Sequence, residues 1–152
     1  MTEGTFQPIA SSRQRMHGPK GLVICGFPAA EHGPLADAMG QIGFDDRPLI
    51  FAVEKDLARS LIDVLSSGDR SGMGQFAPMP RAIIMSGFLQ SEVHTLMTAF
   101  RQAGLPRQLW ATLTPVSENW TLAALLAELA EEDRAMQPKR LAKNGDESSD
   151  KG

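Results

Sequence analysis

The chain has 152 residues, 42% of them hydrophobic, a formal net charge of −3 and a pI near 5.6. This is the size of one domain with one core, and the weak acidity gives no electrostatic reason to expect nucleic acid or an anionic membrane as a partner. A single cysteine cannot form an internal disulfide, and no run resembles a transmembrane helix or a signal peptide. We therefore expect a cytoplasmic protein.

Both ends of the chain and one internal stretch differ in composition from the rest. Residues 1–20 and 134–152 lack a sustained hydrophobic period and are predicted to be disordered tails, the second of them highly charged. Residues 68–80 are rich in Gly and Pro and are predicted to be a linker. The predicted single domain spans 21–133 and consists of the segments 21–67 and 81–133.

These two segments resemble each other in sequence. Sliding the chain along itself aligns "GLVICGFPAAEHGPLADAMGQIGF" with "AIIMSGFLQSEVHTLMTAFRQAGL", so that Gly26 matches Gly87 and Phe27 matches Phe88. We call this displacement, from Gly26 to Gly87, the repeat offset. Seven identities in the 32 columns from residue 21 to 52 exceed the roughly two expected by chance. We interpret the match as an internal repeat, produced by duplication.

Each segment has the order strand, helix, strand, helix. "GLVIC" and "AIIMS" are apolar throughout, which is typical of strands covered on both faces in a parallel sheet. The first helix is expected to begin at Pro34, because proline suits a first helical position, and Ser91 is the expected cap of its counterpart. The predicted fold is α/β: two duplicated β-α-β-α units form one mostly parallel four-stranded sheet flanked by helices.

The loops after the four strands are the predicted functional edge, because ligands of parallel α/β sheets bind beyond the carboxyl ends of the strands. These loops are residues 25–33, 53–55, 86–90 and 114–120. Aligning "DLARSLIDVL" with "TLAALLAELA" makes the last loop four residues longer than its counterpart. An insertion in one half of a repeat favours a binding role for that loop.

The last loop, "TPVSENW", holds most of the candidate binding residues. They could line a pocket for a small polar molecule or a peptide, and they are Thr114, Ser117, Asn119 and Trp120. Three of them also have a structural explanation: Ser117 and Asn119 suit a turn, and Trp120 suits a hydrophobic staple before a helix capped by Thr121.

The repeated Gly-Phe pair contributes two further candidates. Phe27 and Phe88 either pack against the helices that follow them or project together as an apolar patch for a partner protein or a second subunit, which would make the protein a homodimer.

The second segment also resembles a known family. A strand, "TPVSENW" and a helix, preceded by "SGF" and a helix ending in "AGL", resemble a small bacterial and archaeal domain family of unknown function. The resemblance covers about residues 81–133, where Thr114, Pro115 and Trp120 are its most specific elements. It implies a domain boundary but no reaction, cofactor or substrate.

A catalytic role is the alternative. Cys25 ends a predicted strand and is followed by Glu31 and His32, so a nucleophile with a base is conceivable there. The equivalents of Cys25 and His32 in the second segment are Ser86 and Val93, which favours a buried small residue instead. The histidines and the cysteine lack the spacing of a zinc site, so no metal or cofactor is predicted.

The leading functional hypothesis is a small binding or protein-interaction module that contacts a small molecule or a protein at the strand carboxyl ends. The alternative is an enzyme acting on a small molecule at the same edge, through Cys25 or polar loop residues.

Overall fold

The computed structural model describes the backbone of residues 15–104 and 106–151, and the side chains of these ranges as far as residue 136. Residues 1–14 of the predicted first tail lie outside the described residues. The strands are β1 (Gly21–Cys25), β2 (Leu49–Phe51), β3 (Ala82–Ser86) and β4 (Leu109–Thr112). The α-helices are α1 (Ala29–Gln41), α2 (Leu61–Leu65), α3 (Gln90–Gln102) and α4 (Leu122–Lys151), and 3₁₀ turns span Glu54–Ala58 and Ser117–Asn119.

The four strands form one mixed sheet in the order β2-β1-β3-β4. β1 is parallel to β2 and β3 is parallel to β4, but the central strands β1 and β3 are antiparallel. The prediction of a mostly parallel sheet is therefore wrong at the central pair. Continuous apolar strands indicate that both faces are buried, and burial alone does not set the direction in which two halves join.

Helices cover both faces of this sheet. One hydrophobic cluster joins α1 and α3 to the sheet through Leu35, Met39, Leu96 and Phe100. The other cluster joins α2 and α4 through Leu61, Val64, Leu122 and Leu126. Alternate strand residues supply the two clusters, since successive side chains of a strand point to opposite faces. The result is a three-layer α/β domain with the core on both sides of one sheet.

The residue pairings within β1–β2 and within β3–β4 are related to each other by the repeat offset. Val23 pairs with Ile50 in the first pair, and Ile84 pairs with Ala111 in the second. In the central antiparallel pair, Val23 faces Ile84, and the repeat offset also aligns these two residues with each other. The offset found in the sequence therefore recurs in the strand registers.

The connections from β2 to α2 and from β4 to α4 have equal lengths. Nine residues follow β2 before α2, and nine follow β4 before α4. The amide N–H of Leu61 donates to the carbonyl of Trp120 (2.9 Å), and that of Leu122 donates to the carbonyl of Arg59 (2.9 Å). The predicted four-residue insertion is therefore wrong, because Asp56 belongs to a 3₁₀ turn and the helix starts five residues later.

Helix boundaries also differ from those expected. α1 begins at Ala29, directly after Pro28, and contains Pro34 in its interior. α3 begins at Gln90, where the carboxylate of Glu92 accepts a hydrogen bond from the amide of Leu89 (2.8 Å). α4 continues past residue 133, where the domain was predicted to end, to Lys151. Each of these three helices is therefore longer than its local sequence predicted.

The stretch predicted as a linker is bonded to the sheet. The amide of Arg70 donates to the carbonyl of Leu49 (2.7 Å), and the amide of Phe51 donates to the carbonyl of Ser71 (2.8 Å). At the other end of the sheet, the amide of Met16 donates to the carbonyl of Phe88 (2.8 Å). Residues of the predicted linker and of the predicted first tail thus bond to the folded unit.

Candidate functional site

The antiparallel central pair divides the predicted functional edge in two. Parallel strands end at the same edge of a sheet, so the loops after β1 and β2 lie at one edge and those after β3 and β4 at the opposite edge. Residues 25–33 and 53–55 therefore follow strands that end at one edge, and residues 86–90 and 114–120 follow strands that end at the opposite edge. The expectation that all four loops gather at one edge is wrong.

The hydroxyl groups of the loop after β4 are bonded to the loop itself. Ser117 is buried, and its Oγ accepts from the amide of Thr114 (3.1 Å). The amide of Ser117 donates in return to Oγ1 of Thr114 (3.0 Å), and the two hydroxyls are 3.1 Å apart. Thr114 and Ser117 therefore form a closed turn, as short hydroxyl side chains commonly do.

The same loop exposes two large apolar side chains. Val116 is 69% exposed and Trp120 is 37% exposed, and Asn119, which lies between them in the sequence, is exposed as well. Trp120 is held by its backbone, since its carbonyl accepts from Leu61. Thr121 caps α4 through a hydrogen bond from the amide of Ala124 (3.1 Å), which confirms that part of the prediction.

The two phenylalanines of the Gly-Phe pair are core residues. Phe27 and Phe88 are 2% and 0% exposed, and they lie at opposite edges of the sheet because β1 and β3 are antiparallel. Their rings pack edge-on against Phe100 and Phe44, respectively. The structure therefore places them in packing positions, and a joint surface patch is not formed by these residues.

Each of these phenylalanines lies beneath an arginine that the sequence analysis did not single out. The guanidinium of Arg81 lies 4.0 Å from the centre of the Phe27 ring and pairs with Glu31 (3.0 Å). Arg47 is buried, lies over Phe88 and pairs with Glu92. A signal was present, because Glu31 and Glu92 are identical residues aligned by the repeat offset, and a half-buried carboxylate needs a cationic or hydrogen-bonding partner.

The proposed nucleophile and base do not come together. Cys25 is fully buried in the cluster on the α2 and α4 face, and burial, aided by the charge of Asp56, raises the pKa of its thiol far above the ordinary value. His32 lies on the other face, stacked 4.2 Å from the ring of Phe51. A thiolate at Cys25 is therefore strongly disfavoured.

The ring of His32 has a structural role. Its Nδ1 accepts from the amide of Gly74 (2.9 Å), so Nε2 carries the proton and donates to the carbonyl of Phe27 (3.0 Å). The histidine thus ties α1 to the segment that follows α2.

A polar cleft of about 590 Å³ opens beside the end of β2. Its carboxylate, Asp56, accepts from the amide of Val53 (2.9 Å) and from Nη1 of Arg59 (3.0 Å). Arg59 also donates to Oγ of Ser67 (2.8 Å). The cleft is large enough for a small ligand. Its charged groups Asp56 and Arg59, however, already bond to each other.

An apolar groove of about 160 Å³ lies between α1 and α3. It is lined by Leu35, Met39, Leu96 and Phe100, among others. This volume is below that of typical ligand pockets, so the groove is too small for a drug-sized molecule.

The described residues contain no helix that is both long and apolar enough to cross a bilayer. Nor do their side chains form a group of three or more His, Cys, Asp or Glu residues with the geometry to hold a metal ion.

These features define a small three-layer α/β domain whose last strand is followed by a closed polar turn with exposed apolar side chains. Residues 81–136 match the family model described as Domain of unknown function (DUF3783). The match runs from the start of β3 into α4 and confirms the resemblance to an uncharacterised domain family. No curated protein and no solved structure matches the chain.

Proposed function

We propose that the protein is an interaction module that binds another protein through residues 113–120, which we call the Trp loop. The observation that carries the proposal is the contrast within this loop: Thr114 and Ser117 bond to each other, whereas Val116 and Trp120 are exposed. An exposed tryptophan and an exposed branched aliphatic residue in one loop are a combination suited to a protein interface.

The hydrogen bonds of the Trp loop favour a protein over a small polar ligand. A polar ligand would need hydroxyl and amide groups that are open to it, and those of Thr114 and Ser117 are engaged within the turn. Asn119 remains an exposed polar group at the rim. This arrangement corresponds to an interface with an apolar centre and a polar rim.

The closed turn also supports a preformed contact surface. The backbone of Trp120 is bonded to the start of α2, so the loop is attached to both halves of the domain. A loop that is already ordered loses little conformational entropy on binding. Phe27 and Phe88 are buried in the core and do not belong to this surface.

We further propose that the two halves arose by duplication. The support is the common repeat offset, which holds for the strand registers, for the caps Ser60 and Thr121, and for the turn contacts Val53–Asp56 and Thr114–Ser117. On this proposal, Val116 and Trp120 occupy positions where the first half has Lys55 and Arg59. One copy of the loop would then be charged and the other apolar.

The test is capture of proteins by the purified full chain, compared with a double variant, Val116→Ser with Trp120→Ser. Phe76 and Met136 are 56% and 62% exposed elsewhere on the surface, so Phe76→Ser with Met136→Ser is the matched control. We expect a protein that the wild type and the control both bind directly when it is purified. The loop variant should weaken that binding by about 2 kcal/mol or more.

Equal binding of that protein by the loop variant would refute the Trp loop as the contact surface. A small polar metabolite that raises the melting temperature in the wild type, and no longer does so in Ser117→Ala, would instead favour a polar pocket.

The second candidate is an enzyme or binding protein for a small molecule, and the observation that favours it is the polar cleft beside β2. The cleft is large enough for such a ligand and includes Lys55 as a cationic group. Ligand-induced stabilisation that Lys55→Met abolishes, with the Trp loop variant unaffected, would support this candidate over the first. The cytoplasmic location and the exclusion of nucleic acid and membranes stay predictions from composition.

A further inference from the structure

The two outer strands of the sheet, β2 and β4, differ in the hydrogen bonds made by their outward-pointing backbone groups. At the β2 edge, the amide of Leu49 donates to Oδ1 of Asp69 (2.8 Å), and the carbonyl of Leu49 accepts from Arg70. The amide of Phe51 donates to Ser71. The segment after α2 therefore covers this edge, which is a common way for proteins to prevent unwanted strand pairing.

Among the described residues, no segment bonds to the corresponding groups of β4. Leu109 and Leu113 donate to Arg81 and Met85 on the β3 side. Alternate residues of a parallel strand bond to the same neighbour, so the backbone groups of Trp110 and Thr112 point away from the sheet. Within residues 15–104 and 106–136, neither of these two residues has a backbone partner on that outer side.

We propose that the outer edge of β4 pairs with β4 of a second copy of this chain. The two strands would run antiparallel about a twofold axis at Ala111, so that Trp110 of each copy faces Thr112 of the other. The twofold axis generates two such pairs, and each pair exchanges two backbone hydrogen bonds. The product is a continuous eight-stranded sheet in which both open edges are removed.

The residues of β4 favour pairing with a second copy of this chain over pairing with a strand of a different protein. β4 reads Leu-Trp-Ala-Thr, without the charge or proline that usually blocks self-pairing within an edge strand. Each copy brings the same unpaired edge, so the interface is self-complementary without any further component.

The side chain of Trp110 provides a further reason. Its ring packs edge-on against Phe100 at 5.3 Å and remains partly exposed beside a cleft of about 400 Å³ that Met97 and Arg101 also line. In the proposed pairing the two Trp110 side chains are diagonal neighbours on one face, within reach of each other. The second copy would thereby cover the exposed part of each ring.

The first test is the mass of the full chain by sedimentation over a range of concentrations. We expect a species of twice 16.5 kDa, and a dissociation constant raised by about tenfold or more in Thr112→Lys, because edge lysines oppose strand pairing. Thr95→Lys, on the exposed side of α3, is the matched control and should leave the dimer unchanged.

The second test does not depend on how Thr112→Lys folds. In Ala111→Cys the two introduced thiols face each other across the axis, and mild oxidation should give a disulfide-linked dimer, whereas Thr95→Cys should not. A chain that sediments as a monomer at every concentration and forms no linked dimer would overturn the proposal. So would dimers that appear only after deletion of residues 1–14, since the edge would then be occupied within one chain.

Discussion

At the scale of single residues, His32 shows how one side chain joins distant parts of the chain. Its ring accepts from Gly74, donates to Phe27 and stacks on Phe51. Two of these contacts are hydrogen bonds to backbone groups, one of them in the segment that covers the β2 edge. Loss of the ring therefore affects both α1 and that segment.

We expect His32→Ala to lower the free energy of unfolding by about 1–3 kcal/mol, because it leaves the amide of Gly74 and the carbonyl of Phe27 without a partner. Urea unfolding measures the change. His94→Ala, on the exposed side of α3, is the control and should change stability by less than about 0.5 kcal/mol. Similar effects of the two substitutions would show that the His32 contacts do not stabilise the fold.

Cys25 should make stability depend on pH in alkaline solution. Burial raises the pKa of the folded thiol above the ordinary value of 9.0, so the folded chain keeps it protonated while the unfolded chain ionises. The stability that the buried, protonated thiol contributes is therefore complete below pH 9 and is lost as the pH rises further. We expect the free energy of unfolding to fall by about 1.4 kcal/mol per pH unit from this group.

The comparison that isolates this effect is Cys25→Ala, in which the alkaline slope should be smaller by that amount whatever the change in overall stability. Native thiol labelling should also require unfolding in the wild type. Identical alkaline slopes in the two proteins, or fast labelling of the native wild type, would contradict the assignment.

At the scale of elements, the starts of α2 and α4 form a matched pair. Ser60 and Thr121 each cap a helix by accepting from the amide three residues later, at 3.2 and 3.1 Å. The same two residues form an isolated antiparallel bridge with each other. Each helix start is therefore satisfied by its own cap and by the other half of the domain.

We expect Ser60→Ala and Thr121→Ala each to cost about 1 kcal/mol of stability, which is typical for loss of a capping side chain. Because the two caps touch across the bridge, the double variant should differ from the sum of the singles by about 0.5 kcal/mol or more. Thermal and urea unfolding of the wild type, the two single variants and the double variant complete this double-mutant cycle. Strict additivity would indicate that the two helix starts are independent.

At the scale of the whole molecule, the antiparallel contact of β1 with β3 holds the two halves together. Five residue pairs form this contact, from Gly21–Ser86 to Cys25–Ala82. The apolar core crosses the same boundary, as in the ring contacts of Phe27 with Phe100 and of Phe44 with Phe88. Neither half contains a complete core.

We therefore expect the separate chains 1–78 and 79–152 each to lack a cooperative unfolding transition as monomers. Mixing or coexpressing them should restore the transition, because the cut lies in a loop and both cores are re-formed. Circular dichroism during urea titration measures this. Cooperative unfolding of monomeric 79–152 alone would show that the matched domain is an independent folding unit.

Part of the fold follows directly from local sequence. The strands are apolar runs, α3 carries a stripe of apolar residues, and Gly26 and Gly87 turn the chain with φ of +73° and +70°. The repeat offset was also visible from identities such as Glu31 with Glu92. The strand, helix and turn signals depend on neighbours a few positions apart, and the repeat offset depends only on matching residues. Both can therefore be recognised without tertiary contacts.

The candidate site was less accessible from the sequence. Thr114, Ser117 and Trp120 do share one loop, and the turn explanation of Ser117 agrees with its hydrogen bonds to Thr114. The exposure of Val116 was not predicted, since an apolar residue in a loop can be buried or exposed, and only the surrounding packing decides which.

The sequence by itself therefore determined the order of the strands and helices, the turns at Gly26 and Gly87, and the offset at which the two segments align. Only the tertiary structure decided that the halves join through an antiparallel pair, which sends the loops after β1 and β3 to opposite edges. The physical reason is that a strand buried on both faces has the same apolar pattern in either direction. Its direction is set by contacts between residues far apart in the chain.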